Sequence, residues 1–304
     1  MNLKQRILGI AYEDAFWRSL FWQKNAREGL INWSRYGQEI LLDHFDAPQF
    51  LDDRAKATGH APLVADVGCG ASFCTGNKLH GQELNMRWID PLADRYNRIL
   101  AKHPELHLPQ VEFGMAEHVS ALFPQSDVDL IHIQNALDHS EQPVKSIIES
   151  LRALAIGGKL YLKHFPNEAE KENYRGFHQF NVDTDTATGH LIIWNDAERH
   201  DINTLVEDFA TIELHQSDIG EIIAILTKTA PVPQKLTDDT ADIRALCERQ
   251  TQAIETFDSF WFCLKYHLYK RGCIISQCIM RFFSPQMRQR VKDIFFPNKR
   301  RAKE

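Results

Sequence analysis

The sequence has no C-x-x-C pair among its six cysteines and no apolar segment at its N-terminus. We therefore expect six reduced thiols in a cytoplasmic protein rather than a zinc or disulfide framework. The charged start of the chain predicts that there is no signal peptide. Because no apolar run reaches about 18 residues, we expect no transmembrane helix.

Basic residues are scarce over most of the chain and are concentrated at its end. Residues 265–304 hold eleven Lys or Arg and two acidic residues, whereas residues 1–264 have a net charge of −15. An acidic body argues against a nucleic-acid partner, because phosphates need a basic groove. The basic, aromatic segment 241–304 has three interpretations: a helix packed on the body or a second subunit, an amphipathic helix on an anionic membrane surface, or a nucleic-acid-binding segment.

A dinucleotide fingerprint is also missing. An apolar strand ends at Asp66-Val67, and Gly68 and Gly70 follow it. Glycines at this point let a ligand approach the backbone closely. The third glycine of G-x-G-x-x-G would stand at position 73, which is Phe73, and no phosphate-binding loop with Lys-Ser or Lys-Thr follows. The turn is therefore either purely structural or suited to a cofactor that has a ribose but no phosphate.

The chain alternates predicted strands and helices between its two helical ends. This pattern predicts an α/β fold with a doubly wound, mostly parallel sheet in residues 61–230. Helical spacing predicts an N-terminal cap over residues 1–60 and a helical extension over residues 231–304. The predicted sheet strands are 63–67, 86–89, 110–113, 128–133, 159–165, 211–215 and 222–227. We further expect a connector at 46–62, a short helix at 75–83, and an irregular loop at 166–190.

Asp90 ends the predicted second strand and has two interpretations. An acidic residue at this position of a doubly wound fold binds the hydroxyls of a ribose. It is also well placed to cap the helix that begins near Pro91. The two roles are compatible, and the spacing from Asp66 favours the ribose.

Five stretches resemble successive motifs of class I S-adenosylmethionine-dependent methyltransferases, in the order expected for that family. They are residues 64–72, 90–94, 114–117, 129–139 and 154–162. Residues 90–97, 135–139 and 176–181 resemble members associated with bacterial surface polysaccharide synthesis. Ser72 departs from the family pattern, which commonly has a third glycine there. The resemblance implies a Rossmann-like, seven-stranded fold and S-adenosylmethionine as the cofactor.

The resemblance also assigns the cofactor-binding residues. Asp66 would order the glycine turn, and Gly68 and Gly70 would admit the methionine part of the cofactor. Asp90 would hold the ribose. The residues beside the adenine would be Ala116 and Glu117, and those near the sulfonium and its methyl group would be Asn135 and Ala136.

Methyl transfer to a hydroxyl requires a base, and histidine titrates near neutral pH. The candidates are His139 after the fourth strand, His178 in the long loop, and His164 at the end of the fifth strand, although a lone histidine is more often a surface or packing residue. Asp138 is a second base candidate, an orienting group or a helix cap. Two histidines and carboxylates in one cleft are also able to bind a divalent ion, but without metal-motif spacing we predict no metal.

The predicted function is methylation of a sugar hydroxyl in a surface polysaccharide or its precursor. Two alternatives stay open. One is a small-molecule methyltransferase of secondary metabolism. The other is a non-catalytic, cofactor-binding scaffold in a glycan-assembly complex. The expected location is the cytoplasm, with peripheral attachment to the inner face of the membrane if segment 241–304 binds lipid.

Overall fold

The structure, a computed structural model, describes residues 1–22, 34–236 and 240–259. The chain forms two compact units, Met1–Ala253 and Ile254–Glu304. The described α-helices are α1 (Leu3–Trp22), α2 (Ala47–Thr58), α3 (Ala93–Leu100), α4 (Val119–Leu122), α5 (Pro143–Ala153), α6 (Glu168–Lys171), α7 (Ile202–Val206) and α8 (Thr240–Asp258). The predicted helices beyond residue 259 lie outside the described residues, and the domain limits at 60/61 and 230/231 stay predictions.

The described strands form a seven-stranded sheet and two small sheets. In chain order they are β1 (Leu63–Val67), β2 (Lys78–Leu79), β3 (Gln82–Glu83), β4 (Asn85–Asp90), β5 (Glu112–Phe113), β6 (Val128–Gln134), β7 (Leu154–His164), β8 (Asn181–Thr184), β9 (Leu191–Trp194), β10 (Arg199–Asp201), β11 (Ala210–Gln216) and β12 (Ile222–Lys228).

The seven-stranded sheet has the order β5-β4-β1-β6-β7-β12-β11. The pairs β4–β5, β1–β4, β1–β6 and β6–β7 are parallel, and β12 runs antiparallel to both of its neighbours. The strand order switches sides at β1, since β4 and β5 lie on one side of it and β6 and β7 on the other, and ligands are expected at the carboxyl ends of the strands at such a switch point. The predicted doubly wound, mostly parallel seven-stranded sheet is confirmed.

Helix α1 lies in the predicted helical cap, but residues 34–46 form turns and isolated β-bridges instead of helix, and the predicted connector at 46–62 is wrong. Helix α2 occupies most of it. The Asp46 carboxylate caps α2 by accepting a hydrogen bond from the Gln49 backbone N–H at 3.1 Å. Pro48 fits the first turn, and Gly59 ends the helix in the left-handed conformation. These start and stop signals outweigh the charged composition that suggested a loop.

Two further local predictions are wrong. Residues 75–83 form the β2–β3 hairpin instead of a short helix, because His80 and Gly81 both have positive φ and make a tight two-residue turn. Strand β7 begins at Leu154, directly after α5, and not at residue 159. It passes through Gly157, which has a φ of 80°, where the pairing with β6 shifts register.

The predicted irregular loop 166–190 is partly ordered secondary structure. It contains helix α6 and strand β8, and β8 joins β9 and β10 in a three-stranded antiparallel sheet. Asp201 caps helix α7, since its carboxylate accepts a hydrogen bond from the Thr204 backbone N–H at 3.0 Å. The segment contacts the chain that follows β6, since the Gln179 backbone N–H donates to the Asp138 carbonyl at 3.4 Å.

Candidate functional site

A cavity of about 770 Å³ lies at the carboxyl ends of β1, β4, β5 and β6. Its walls come from the loops after these strands, from α1 and from the segment that follows β7. Its volume falls in the range of about 300–1,000 Å³ that is usual for small-molecule sites. The predicted cofactor residues that line it are Gly68, Gly70, Asp90, Ala116, Glu117, Asn135 and Ala136.

The glycine turn is built by close backbone packing. Gly68 and Gly70 have φ values of 71° and 58°, which L-residues with a side chain rarely adopt. A Cβ on Gly68 would collide with the side chain of Ala136, and one on Gly70 would collide with the indole of Trp17. The turn therefore requires glycine at both positions.

Asp90 holds the glycine turn and starts the next helical segment. Its carboxylate accepts one hydrogen bond from the Gly70 backbone N–H at 3.1 Å and one from the Leu92 backbone N–H at 2.7 Å. Burial raises the pKa of Asp90 to about 7, although both N–H donors favour the charged form. The capping and ligand-facing roles coexist, because Asp90 also lines the cavity.

Asp66 does not line the cavity. It is buried under the turn, where its Oδ1 lies 2.8 Å from His132 Nδ1 on the neighbouring strand. The Asp66–His132 pair links β1 to β6 below the glycine turn. Asp66 therefore supports the turn from beneath.

Glu117 is buried and caps the chain that leads into α5. Its carboxylate accepts hydrogen bonds from the backbone N–H groups of Glu141 at 2.8 Å and Gln142 at 3.4 Å. Burial raises the pKa of Glu117.

Asn135 has a φ of 47°, and its side-chain oxygen accepts a hydrogen bond from the Phe165 backbone N–H at 3.1 Å, so it joins the ends of β6 and β7. A polar residue in this sparsely populated conformation often marks a functional site.

Asp138, which is buried, and His178, which is partly exposed, form an acid–histidine pair beside the cavity. Asp138 Oδ2 lies 2.6 Å from His178 Nδ1. His139 stands next to the pair, with its ring centroid 4.5 Å from that of His178 and its Nε2 3.8 Å from Asp138 Oδ2. Both histidines line the cavity, and Asp138 lies behind them.

Burial and the neighbouring charges determine the protonation state of each residue in this cluster. Burial opposes the charged form of Asp138, but His139 and the hydrogen-bonded His178 lower its pKa below the ordinary value. Burial likewise opposes a charged His178, yet the hydrogen bond and charge of Asp138 raise its pKa. His164 does not line the cavity, and burial lowers its pKa to about 4. His164 is therefore neutral at physiological pH, and the structure does not bring it to the cavity surface.

The N-terminal helix supplies cavity residues that sequence analysis did not single out. Trp17 covers Gly70, and its Nε1–H donates a hydrogen bond to Glu13 Oε2 at 3.0 Å. Gly9 lies against the ring of Phe177, which follows Arg175-Gly176 in the loop after α6. The aromatic residues of this helix are a sequence signal that could have identified it as a cavity wall, but no local pattern identifies Glu13.

Two groups in the described part of the chain have the side-chain chemistry to hold a metal ion. They are Asp66, Cys74 and His132 in one group and Asp138, His139 and His178 in the other, with ligand atoms within 4.8 Å of one another. In the first group, burial raises the pKa of Cys74 to about 12, which opposes the thiolate that binds metals. In each group an aspartate already contacts a histidine nitrogen at hydrogen-bond distance.

No protein-family model and no curated protein matches this chain. Among solved structures, it is similar to an S-adenosylmethionine-dependent methyltransferase from Aquifex aeolicus (16% identity, TM-score 0.35), over 61% of this chain and 94% of that one. It is also similar to an rRNA methylase from Streptococcus thermophilus (12% identity, TM-score 0.36), over 63% and 99% of the two chains. The DszA carbon methyltransferase is 16% identical, with a TM-score of 0.41, over 61% and 52%.

Proposed function

We propose that this chain is an S-adenosylmethionine-dependent methyltransferase that methylates a hydroxyl group with a histidine as general base. The observation that carries the proposal is that seven predicted cofactor residues, from the ends of four strands, line one cavity. His178, which is paired with Asp138, lines the same cavity. A cofactor site and a proton acceptor therefore face the same space.

The residues present fit the cofactor. Gly68 and Gly70 line the cavity without side chains of their own, and because Ala136 and Trp17 fill the positions of their Cβ atoms, a ligand would contact the remaining exposed backbone of the turn. Each Asp90 oxygen keeps a free lone pair beyond its one backbone hydrogen bond, which suits it to ribose hydroxyls. When bound, S-adenosylmethionine would supply an electrophilic methyl group on sulfur.

The protein would supply alignment and proton removal. Asp138 fixes the orientation of the His178 ring and stabilises its charged form. In its neutral form, His178 would accept the proton of the acceptor hydroxyl through its other ring nitrogen as the carbon–oxygen bond forms. His139, whose ring centroid lies 4.5 Å from that of His178, would contact the acceptor or serve as the alternative base.

The proposed acceptor is a sugar hydroxyl of a surface polysaccharide or its precursor. This part rests on the resemblance at residues 90–97, 135–139 and 176–181. The last of these contains His178 and packs on the N-terminal helix through Phe177 and Gly9. A small molecule of secondary metabolism is the alternative acceptor, and a scaffold that binds cofactor without turnover is the alternative function.

We also propose that segment 241–304 serves attachment, either to an anionic membrane surface or to a second subunit. Its support is the net positive charge of residues 265–304 beside aromatic residues. No helix among the described residues is long and apolar enough to cross a membrane.

The test combines cofactor binding with methyl transfer. Titration calorimetry should show binding of S-adenosylmethionine, and the methyl group of labelled cofactor should appear in a glycan fraction. We expect His178→Gln to abolish transfer while cofactor binding persists. The matched control is His190→Gln, because His190 makes the same kind of pair with Asp201, at 2.8 Å, outside the cavity.

The outcomes separate the alternatives. If methyl transfer persists in His178→Gln, this histidine is not the general base. Transfer to small phenols or alcohols, but not to glycans, would favour the small-molecule enzyme. Cofactor binding without transfer to any acceptor would favour the scaffold.

A further inference from the structure

The side chain of Glu13 lines the cavity and has no part in the proton transfer proposed for His178. It extends from α1 towards the space between the glycine turn and His139. Its Oε2 accepts the hydrogen bond from Trp17 Nε1–H at 3.0 Å and lies 3.5 Å from the hydroxyl of Tyr96. Trp17 in turn covers Gly70. The Glu13 carboxylate is thus fixed by two aromatic side chains next to the turn.

The second carboxylate oxygen of Glu13 points to the opposite side of this space. Oε1 lies 3.8 Å from His139 Nδ1, which is beyond hydrogen-bond distance but within the range of an ion pair when the His139 ring is protonated. The side chain of Glu13 is 22% exposed. His139 follows Ala136 by one turn, and its backbone N–H donates to the Ala136 carbonyl at 3.1 Å. Glu13 therefore faces the segment that the resemblance places beside the sulfonium.

The other acidic side chains of the cavity are engaged differently. Asp90 and Glu117 accept hydrogen bonds from backbone N–H groups, and Glu141 pairs with Arg6 and Arg249. Glu168 and Glu172 belong to the segment after β7. Glu13 differs from these because one of its oxygens is held in place and the other faces the cavity without a hydrogen bond within the described part of the chain.

We propose that Glu13 recognises the positive charge of the sulfonium in S-adenosylmethionine, so that the N-terminal helix favours the methyl donor over the demethylated product. The inference rests on the proposed function. A fixed carboxylate in a partly desolvated cavity attracts a nearby cation more strongly than it would in water. The product, S-adenosylhomocysteine, has a neutral thioether in place of the sulfonium and would gain nothing from this charge.

Recognition of this kind helps turnover and does not accelerate the chemical step. The sulfonium charge disappears as the methyl group leaves, so Glu13 stabilises the bound donor more than the transition state. The benefit lies in ligand exchange, because the product binds less tightly than the donor and the donor replaces it more readily. Glu13 is a binding residue, distinct from the base.

The experiment compares three ligands on the full chain by titration calorimetry. The ligands are S-adenosylmethionine, S-adenosylhomocysteine and an analogue with an amine in place of the sulfonium methyl. Glu13→Gln keeps an oxygen that can accept from Trp17 but removes the charge. We expect this substitution to weaken the binding of the two positively charged ligands by at least about tenfold. A change of this size is typical when a hydrogen bond or contact to a charged group is lost. Affinity for S-adenosylhomocysteine should stay nearly unchanged.

The matched control is Glu172→Gln, which removes one negative charge from the exposed rim of the same cavity. It should change all three affinities little. Equal weakening of all three ligands by Glu13→Gln would overturn the inference, because the amino group is common to them. No weakening of any ligand would also overturn it. If the wild-type chain binds none of the ligands, the proposed function itself fails.

Discussion

At the scale of single residues, the site is governed by how burial and partners set the charge of each group. Asp138 and His164 are both almost fully buried. Asp138 stays charged because histidines surround it, whereas His164 is neutral because burial dominates. His178 combines partial exposure with a fixed carboxylate partner, so it is the histidine best able to exchange a proton with a ligand in the cavity.

The Asp138–His178 pair gives a prediction about pH. Removal of the Asp138 charge by Asp138→Asn should lower the pKa of His178, since the carboxylate favours the protonated ring. The acidic limb of the transfer rate, which falls as His178 becomes protonated with decreasing pH, should shift to lower pH. NMR titration of the His178 ring measures the change directly. Asp201→Asn, which alters the equivalent pair at His190, should leave the pKa of His178 unchanged.

At the scale of elements, α1 is tied to the loop after β7 by close packing and by a hydrogen bond from Gln5 Nε2–H to Gln179 Oε1 at 2.8 Å. A Cβ on Gly9 would lie 2.5 Å from the Phe177 ring, although Gly9 is inside a helix where alanine is intrinsically preferred. The same loop carries His178. Packing of α1 against Phe177 therefore affects both the part of the cavity proposed for the cofactor and the part proposed for the acceptor.

This contact predicts an unusual response to a helix-favouring change. Gly9→Ala should lower the free energy of unfolding by about 1–2 kcal/mol, because overpacking against Phe177 exceeds the gain in helix propensity. Urea denaturation measures the difference. In a Phe177→Ala background the same change should be neutral or stabilising, since the obstructing ring is gone. Stabilisation by Gly9→Ala in the presence of Phe177 would contradict the contact.

At the scale of the whole molecule, the cavity lies entirely within the first compact unit. Its lining begins at Arg6 and ends at Gln250, and Arg6 Nη1–H donates to Gln250 Oε1 at 2.9 Å. The start of α8 thus belongs structurally with α1, although the sequence assigns these two helices to separate appendages. The positively charged end of the chain lies outside the described residues.

Cofactor binding and attachment should therefore be separable. A chain that ends at Ser259 should bind S-adenosylmethionine as tightly as the full chain, because it retains every residue that lines the cavity. It should fail to float with anionic liposomes if the membrane proposal is correct, and flotation of the full chain should weaken with added salt. Flotation that survives the truncation would contradict the membrane proposal, and loss of a dimer in sedimentation would favour the second subunit.

Sequence alone was sufficient for the elements whose signals are local. The apolar run before Gly68, the acidic residue at the end of β4 and the alternation of strands and helices predict the sheet, its direction and the cofactor edge, because neighbouring residues determine strands, caps and glycine turns. It failed where such signals compete: the charged stretch before Gly59 is helix α2, and residues 75–83 are a hairpin.

Only the tertiary structure decided which distant side chains meet. The pairing of Asp138 with His178, the cover of Trp17 over Gly70 and the orientation of Glu13 towards His139 join residues from separate elements. No periodicity or spacing encodes such contacts, since they depend on how α1 and the loop after β7 pack on the sheet. The sequence determined where the methyl donor is expected to bind, and packing determined which groups surround it.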